Sequence, residues 1–476
     1  MKSVLQLIFE FQVPVLGIGE HSPFRLARLA LLTLISMTAP QLCASEQSDS
    51  GDVVLVSTAA ELVAALEPQS AVLHIRVRRG DYAVDRPLTV PDGAILEGEG
   101  IMRVDNGLPV GFEPGTMTTI RVTAGFEGDL LTLGNGVVLR GLRLEDLKTK
   151  PGSEPQRSGN VIVVGSRAAG DTVSAQIADC EIVSPNQPGV GTEGPTGHAL
   201  VVLTRNPGRH QTPPPHVGAT INARLERSVV RANGSALFAI NFAADGALTI
   251  ALDGNRLEGI LSAAGGASRP DEVSGASVTV ESRDNLYALR PGGQDAFGWR
   301  VIGGSSSHLA DLGAPGANHN LARIRSINDR IEGFRIGILA TGGRRWLGAS
   351  DPVSDNRVEL ELHGTRIRTE GEGAADLSLQ GALSEEAPEI GREFPAGDRN
   401  VLRVLMRGVS GSPSPRPNSY TDVFGPVLEA NRSTGNRLEF AGTPEEFTRS
   451  NVSITPAPPA DYFRDRRLLS PQNTYD

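Results

Sequence analysis

One short phrase recurs along the chain and restricts it to a fold made of stacked copies. Its fullest copy is Asn356-Arg357-Val358-Glu359-Leu360-Glu361-Leu362, followed by His363-Gly364-Thr365-Arg366-Ile367. Val358, Leu360 and Leu362 alternate with charged residues, the period-two pattern of a strand with one buried face. Five residues beyond Leu362 stands another apolar position, Ile367. The same interval separates Ile177 from Ile182, Leu225 from Val230, Leu252 from Leu257 and Ser326 from Ile331. Asn320, Asn400 and Asn436 open similar strands.

The distance between copies decides among repeat folds. The last inward residue of the first strand recurs at Leu225, Leu252 and Val280, steps of 27 and 28 residues. Longer steps of 46, 36 and 44 then lead to Ser326, Leu362 and Met406. A β-sandwich would space its strands at roughly 8–12 residues, and a propeller blade needs ~40–45, too long for the short steps. A solenoid of short parallel strands with variable insertions fits. Few of the tight turns that antiparallel hairpins favour separate the matching strands. The insertions fall at 185–217, 262–274, 289–317, 341–355, 370–398 and 410–433, each after the second strand of a repeat. Constant register would put their roots along one side of a rod, where binding surfaces are often built.

Composition agrees with a thin rod. Gly 55 and Pro 32 suit many turns, while 39% hydrophobic and 4% aromatic residues suit a narrow core of Val, Ile, Leu and Ala. The net charge of -10 argues against a general nucleic-acid binder. Residues 1–44 read as a signal peptide: Arg25 and Arg28 precede the apolar run Leu29 to Met37, and Leu42-Cys43-Ala44 offers a cleavage point. The run is too short to span a membrane comfortably, so export without a transmembrane helix in the mature chain is expected, to periplasm, cell surface or medium. Residues 45–56 read as linker, 57–445 as the solenoid and 446–476 as a Pro-rich, irregular tail. Cleavage would leave Cys180 alone, as a buried small apolar residue.

Thr58-Ala59-Ala60-Glu61 has the spacing of a capping box opening a short helix through Leu66, which would cover the first rung. The strand His74 to Arg78, the turn Gly80-Asp81-Tyr82, the strand Leu88-Thr89-Val90-Pro91 and the turn Leu96-Glu97-Gly98-Glu99-Gly100 follow. Together with Val137 to Leu144, this succession resembles the start of the pectin-lyase-like right-handed parallel β-helix proteins. The resemblance implies a right-handed coil with three sheets per turn, covering most of 53–445.

Chemistry-bearing residues are sparse. His198 and His210 flank Arg205 and Arg209 in the first insertion, the candidate catalytic set. Gly197-His198-Ala199 faintly resembles the Gly-His-Gly of polygalacturonase-like hydrolases, but the paired carboxylates such enzymes need are missing from the matching coils. Arg205-Asn206-Pro207-Gly208-Arg209 resembles a shortened Arg-x-Pro-x-x-Arg stretch of pectate lyases, where a base takes the proton α to a uronate carboxylate. Arg344, Arg345, Trp346 and Trp299 form the candidate substrate-binding set, through charge and ring stacking. Asp271/Glu272 and Asp351/Asp355 leave Ca²⁺ open as a cofactor. Two readings follow. One is an exported protein that binds an extracellular acidic polysaccharide on the loop-decorated face, as a lyase or glycoside hydrolase if it cleaves. The other is a non-catalytic surface or assembly protein presenting its loops to a protein partner.

Overall fold

The structure, a computed structural model, describes residues 53–67, 74–123, 126, 128–146, 160–184, 198–204, 216–268, 272–290, 297–306, 316–345, 353–371, 374–384, 397–411, 419–424, 435–441 and 474–475. At the start, Thr58 caps the helix Ala59–Ala65. Its Oγ1 accepts from the Glu61 N–H at 3.2 Å while Glu61 Oε2 accepts from the Thr58 N–H at 3.1 Å. The reciprocal pair satisfies donors that a helix start otherwise leaves open. Leu62 faces inward at 0% exposure, so the helix closes the end of the core.

Each coil then lays down three strands. In the first coil these are His74–Val77, Gly80–Val84 and Leu88–Val90. All three pair in parallel with the matching strands of the next coil, Ile95–Gly98, Thr118–Val122 and Leu131–Leu133. The first face grows into a thirteen-stranded sheet. The second and third faces count as one seventeen-stranded sheet, because Val229–Ile240 and Arg256–Ser268 each run through both. The fold is a right-handed parallel β-helix. Right-handed connection is also the sense that crossovers between parallel strands take.

The repeated phrase now has a geometric meaning. Val358, Leu360 and Leu362 point into the core at 1%, 1% and 0% exposure. His363 turns out, Gly364 takes the left-handed backbone at φ 63°, and Thr365 tucks into the corner at 0% exposure. Ile367 then enters the core on the second face. The same left-handed corner recurs at Asp179, Arg227, Gly254, Asp284, Asn328 and Gly408, with φ between 44° and 61°.

Stacked polar side chains lock two of the corners. Before the first-face strands, Asn320, Asn356, Asn400 and Asn436 lie above one another. The Asn356 N–H and Nδ2 donate to Asn400 Oδ1 at 3.0 and 3.2 Å, and Nδ2 also donates to the Ala317 carbonyl at 2.9 Å. After those strands, Ser228, Asn255, Asn285 and Asp329 do the same: the N–H of each of the first three donates to the side-chain oxygen of the next coil at 2.8–2.9 Å. A buried N–H is expensive to leave unpaired, so each rung fixes the register of its neighbour.

Four sequence expectations need correction. Leu252 pairs with Ser282, not Val280. Ser282 is inward although polar, because its Oγ bonds the Tyr287 hydroxyl at 2.7 Å and accepts from Asn285 Nδ2 at 2.9 Å. Val53–Val56, in the stretch expected to be linker, is a strand in register with His74–Val77. In the tail, Thr474–Tyr475 pairs with Arg437–Leu438.

The fourth correction concerns the insertions. Each contains third-face strand: Leu200–Leu203, the end of Arg256–Ser268, Phe297–Ser306, the end of Ile336–Arg345, Ala375–Ser384 and Ser419–Phe424. Several looked like loops because they are rich in glycine, but that glycine has a packing cause. A Cβ on Gly304 would lie 2.5 Å from the Asn356 side chain, and one on Gly266 only 2.3 Å from Asn320.

Candidate functional site

With the third strands recognised, the roots of the insertions separate into two rows, one along each edge of the third face. Segments 147–159, 185–197, 291–296 and 412–418 leave the corner between the second and third faces. Segments 205–215, 269–271, 307–315, 346–352, 385–396 and 425–434 leave the corner between the third and first. Register assigns the outward positions of the face between them. Val163, Val201, Phe238, Ser262, Arg300, Leu339 and Ser378 form one row. These residues point away from the core, yet Val163, Val201, Ser262 and Leu339 are 1%, 2%, 3% and 8% exposed. The sheet itself therefore offers a ligand little open surface here.

His198 opens the strand Leu200–Leu203 and lies over this row. Its ring stacks on Phe238 at a centroid distance of 4.1 Å and an interplanar angle of 4°. Its Nδ1 accepts from the Ser235 N–H at 3.4 Å, and its own N–H donates to Asn160 Oδ1 at 3.3 Å. Asn160 in turn donates to Asp129 Oδ1 from its N–H at 2.8 Å. Asp129, Asn160 and His198 thus form a third polar stack in which the imidazole serves as an acceptor. Burial first, and the Arg300 charge second, push its pKa down to about 4. The ring is neutral at pH 7, and no carboxylate contributes to that shift. The sequence places His198 in the candidate catalytic set, and the geometry gives it a place in the stacking of the coils. Arg205, Arg209 and His210 lie outside the described residues.

The substrate-binding set also changes. Trp299 is 0% exposed, an inward core residue with its ring edge-on to Tyr287 at 5.1 Å. A ring in the core cannot stack on a sugar, and this corrects its reading as a surface platform. Arg344 and Arg345 are 9% and 2% exposed and engaged within the chain, so neither head is presented outward. Trp346 lies outside the described residues. Of the acidic pairs, Asp271 and Asp351 also lie outside. Asp355 Oδ1 accepts from Arg399 Nε at 2.7 Å, which occupies one oxygen a Ca²⁺ ion would use. Among the described residues no three His, Cys, Asp or Glu side chains are grouped to hold a metal.

The sequence reading missed an ionic network on the second face. Glu181 (3% exposed) lies between Arg143 and Arg231, and Glu258 (7% exposed) between Arg231 and Arg256. The hairpin Met102–Asp105 and Leu108–Phe112 lies close by: a Cβ on Gly111 would come within 3.9 Å of Glu181 Oε1. Each carboxylate already has two guanidinium partners, which suits cross-bracing of coils better than proton transfer. Only register, which sets Arg143 opposite Glu181 and Arg231 opposite Glu258 on neighbouring coils, would have revealed the network.

No family model matches the chain, and no curated protein does. Among solved structures, that of the Dettilon tailspike protein is similar, with 10% sequence identity and a TM-score of 0.35. The match covers 84% of this chain, which spans 61% of the length of that protein. A likeness this distant carries no argument about activity. No helix among the described residues is long and apolar enough to cross a membrane.

Proposed function

We propose that the chain is an exported rod that binds an extracellular acidic polysaccharide along its outside. The observation that carries this reading is that the insertions are rooted in two rows, one at each edge of the third face of the stacked coils. A linear polymer repeats along its length, and so do loops rooted coil after coil on two parallel edges. The third-face sheet between them is already covered, so contacts would come from the insertions, with Arg205, Arg209, His210 and Trp346 the first side chains to test. The stacked His198, its Nδ1 already accepting from the Ser235 N–H, supports binding over acid–base cleavage as the primary activity.

Incubating the full chain with uronate polymers, sulfated glycans and neutral glycans is the decisive experiment. Salt-sensitive retention of the acidic polymers, absent with the neutral ones, is expected. Arg205→Ala combined with Arg209→Ala should reduce it. No retention of any acidic polymer at low salt would remove the reading. Release of unsaturated sugars would promote it from binding to lyase activity.

A further inference from the structure

The corner between the first and second faces carries the hairpin Met102–Asp105 and Leu108–Phe112 in the second coil and is tight in the later described coils, and its surface changes sign along the rod. The last residues of successive first-face strands form one row: Glu226, Asp253, Arg283, Ile327, His363 and Arg407. The first residues of successive second-face strands form the other: Arg256, Leu286, Arg330 and Arg366. Acids occupy the first row in the earlier coils and bases in the later ones. Between the rows, Gly364 and Gly408 stand at the apex with no side chain, in the left-handed conformation at φ 63° and 61°. Beside Arg366 and Arg407 the rows therefore border bare backbone, whereas Asp284 and Asn328 hold the apex in the two preceding coils.

Arginines elsewhere on the rod are mostly partnered: Arg121 with Asp81, Arg140 with Glu97, Arg227 with Asp179, Arg323 with Glu359 and Arg399 with Asp355. The guanidiniums of Arg283, Arg330, Arg366 and Arg407 make no ion pair or hydrogen bond among the described residues. The nearby acids are largely committed. Asp284 accepts from Asn328 Nδ2 at 3.2 Å, Glu361 faces Arg325 at 3.8 Å and Glu370 faces Arg368 at 3.6 Å. Glu332, two residues past Arg330, remains, as do Glu281, two residues before Arg283, and Asp253, the register partner of Arg283. Arg330 and Arg366 are direct register partners, about one rung of ~4.8 Å apart. Like charges at that separation repel, and a polyanion lying across them would relieve the repulsion.

We propose that this strip, built on Arg283, Arg330, Arg366 and Arg407, is a docking surface for an acidic polysaccharide lying along the rod, separate from the insertion-bordered face. It rests on the acidic-polysaccharide reading above and adds a second contact to it. A compact anion would need convergent donors in a pocket. Cations spaced coil by coil along one corner fit a ligand whose charges are also spread along its length. Glycan carboxylates and sulfates would both serve.

The test uses the full chain and immobilised polygalacturonate, dextran sulfate, neutral dextran and single-stranded DNA at low and high salt. The pair Arg330→Ala and Arg366→Ala should weaken binding to the acidic glycans on the order of tenfold, about 1.4 kcal/mol. Arg366→Glu alone should weaken it comparably, and Arg121→Ala should leave it unchanged. Unchanged melting of the variants would show that folding is intact. Wild-type affinity in the double variant would overturn the strip while leaving the acidic-polymer reading standing. No acidic glycan retained by wild type would overturn both. Tighter binding to DNA than to either glycan, lost in the double variant, would overturn the choice of occupant.

Discussion

Two titrating side chains inside the coil stack respond to pH in opposite directions. Asp329 occupies a position held by Asn in the two preceding coils, and burial raises its carboxyl to about 6 despite hydrogen bonds from Ser326 and Asn285. A folded pKa above the ordinary value means the charged form opposes folding. The cost is absent below about 3.8, grows as pH rises through 6 and is full above it. Asp329→Asn should therefore raise the melting temperature at pH 8 by the equivalent of about 3 kcal/mol at most, with the gain vanishing at pH 4. His198 behaves the other way. Its folded pKa is lowered, so the stability it contributes is present above the unfolded value of 6.5 and is lost as pH falls towards 4. His198→Gln keeps an acceptor for the Ser235 N–H without a titrating ring. Melting curves between pH 7 and 4 should fall less steeply in this variant than in wild type. Cys180, buried and raised to about 12, should react with a thiol reagent only on unfolding.

At the scale of elements, the polar stacks at the corners carry as much specificity as the apolar core. Asn356→Ala would orphan the Asn320 N–H, which now donates to Asn356 Oδ1 at 3.0 Å, and remove the donor to the Ala317 carbonyl. A loss of about 3 kcal/mol is expected in chemical denaturation, larger than for an exposed Asn on the same rod. Gly304→Ala attacks the same stack sterically and should destabilise comparably. Thr58→Ala removes the helix cap and should cost about 1 kcal/mol, seen as faster amide exchange confined to the first coils. The capping box, the alternating first-face strands and the five-residue interval were legible in the sequence because each depends on neighbours in the chain. The third-face strands were not. Their Gly-Gly pairs satisfy a close approach to Asn320 and Asn356 from other coils, and read alone they look like loop.

For the whole molecule, the direction of growth could be read from the spacing of repeats, and among the described residues the coils pair in parallel apart from one hairpin. The disposition of the insertions was only half legible. Their recurrence was visible, but the hidden third strand divides them between two edges. The candidate site suffered for the same reason: Trp299 stands beside an apparent loop in sequence and in the core in space. The left-handed corners also set a rule for lengthening the molecule. Because Asn320 and Asn356 are equivalent rungs 36 residues apart, duplicating residues 320–355 in tandem would give the second copy of Asn320 the partners that Asn356 has now. The rod would gain one storey. The same 36 residues spliced in after Gly364 would break the chain of amide donors and should destabilise the coil, so a whole storey is the lengthening that keeps every rung paired.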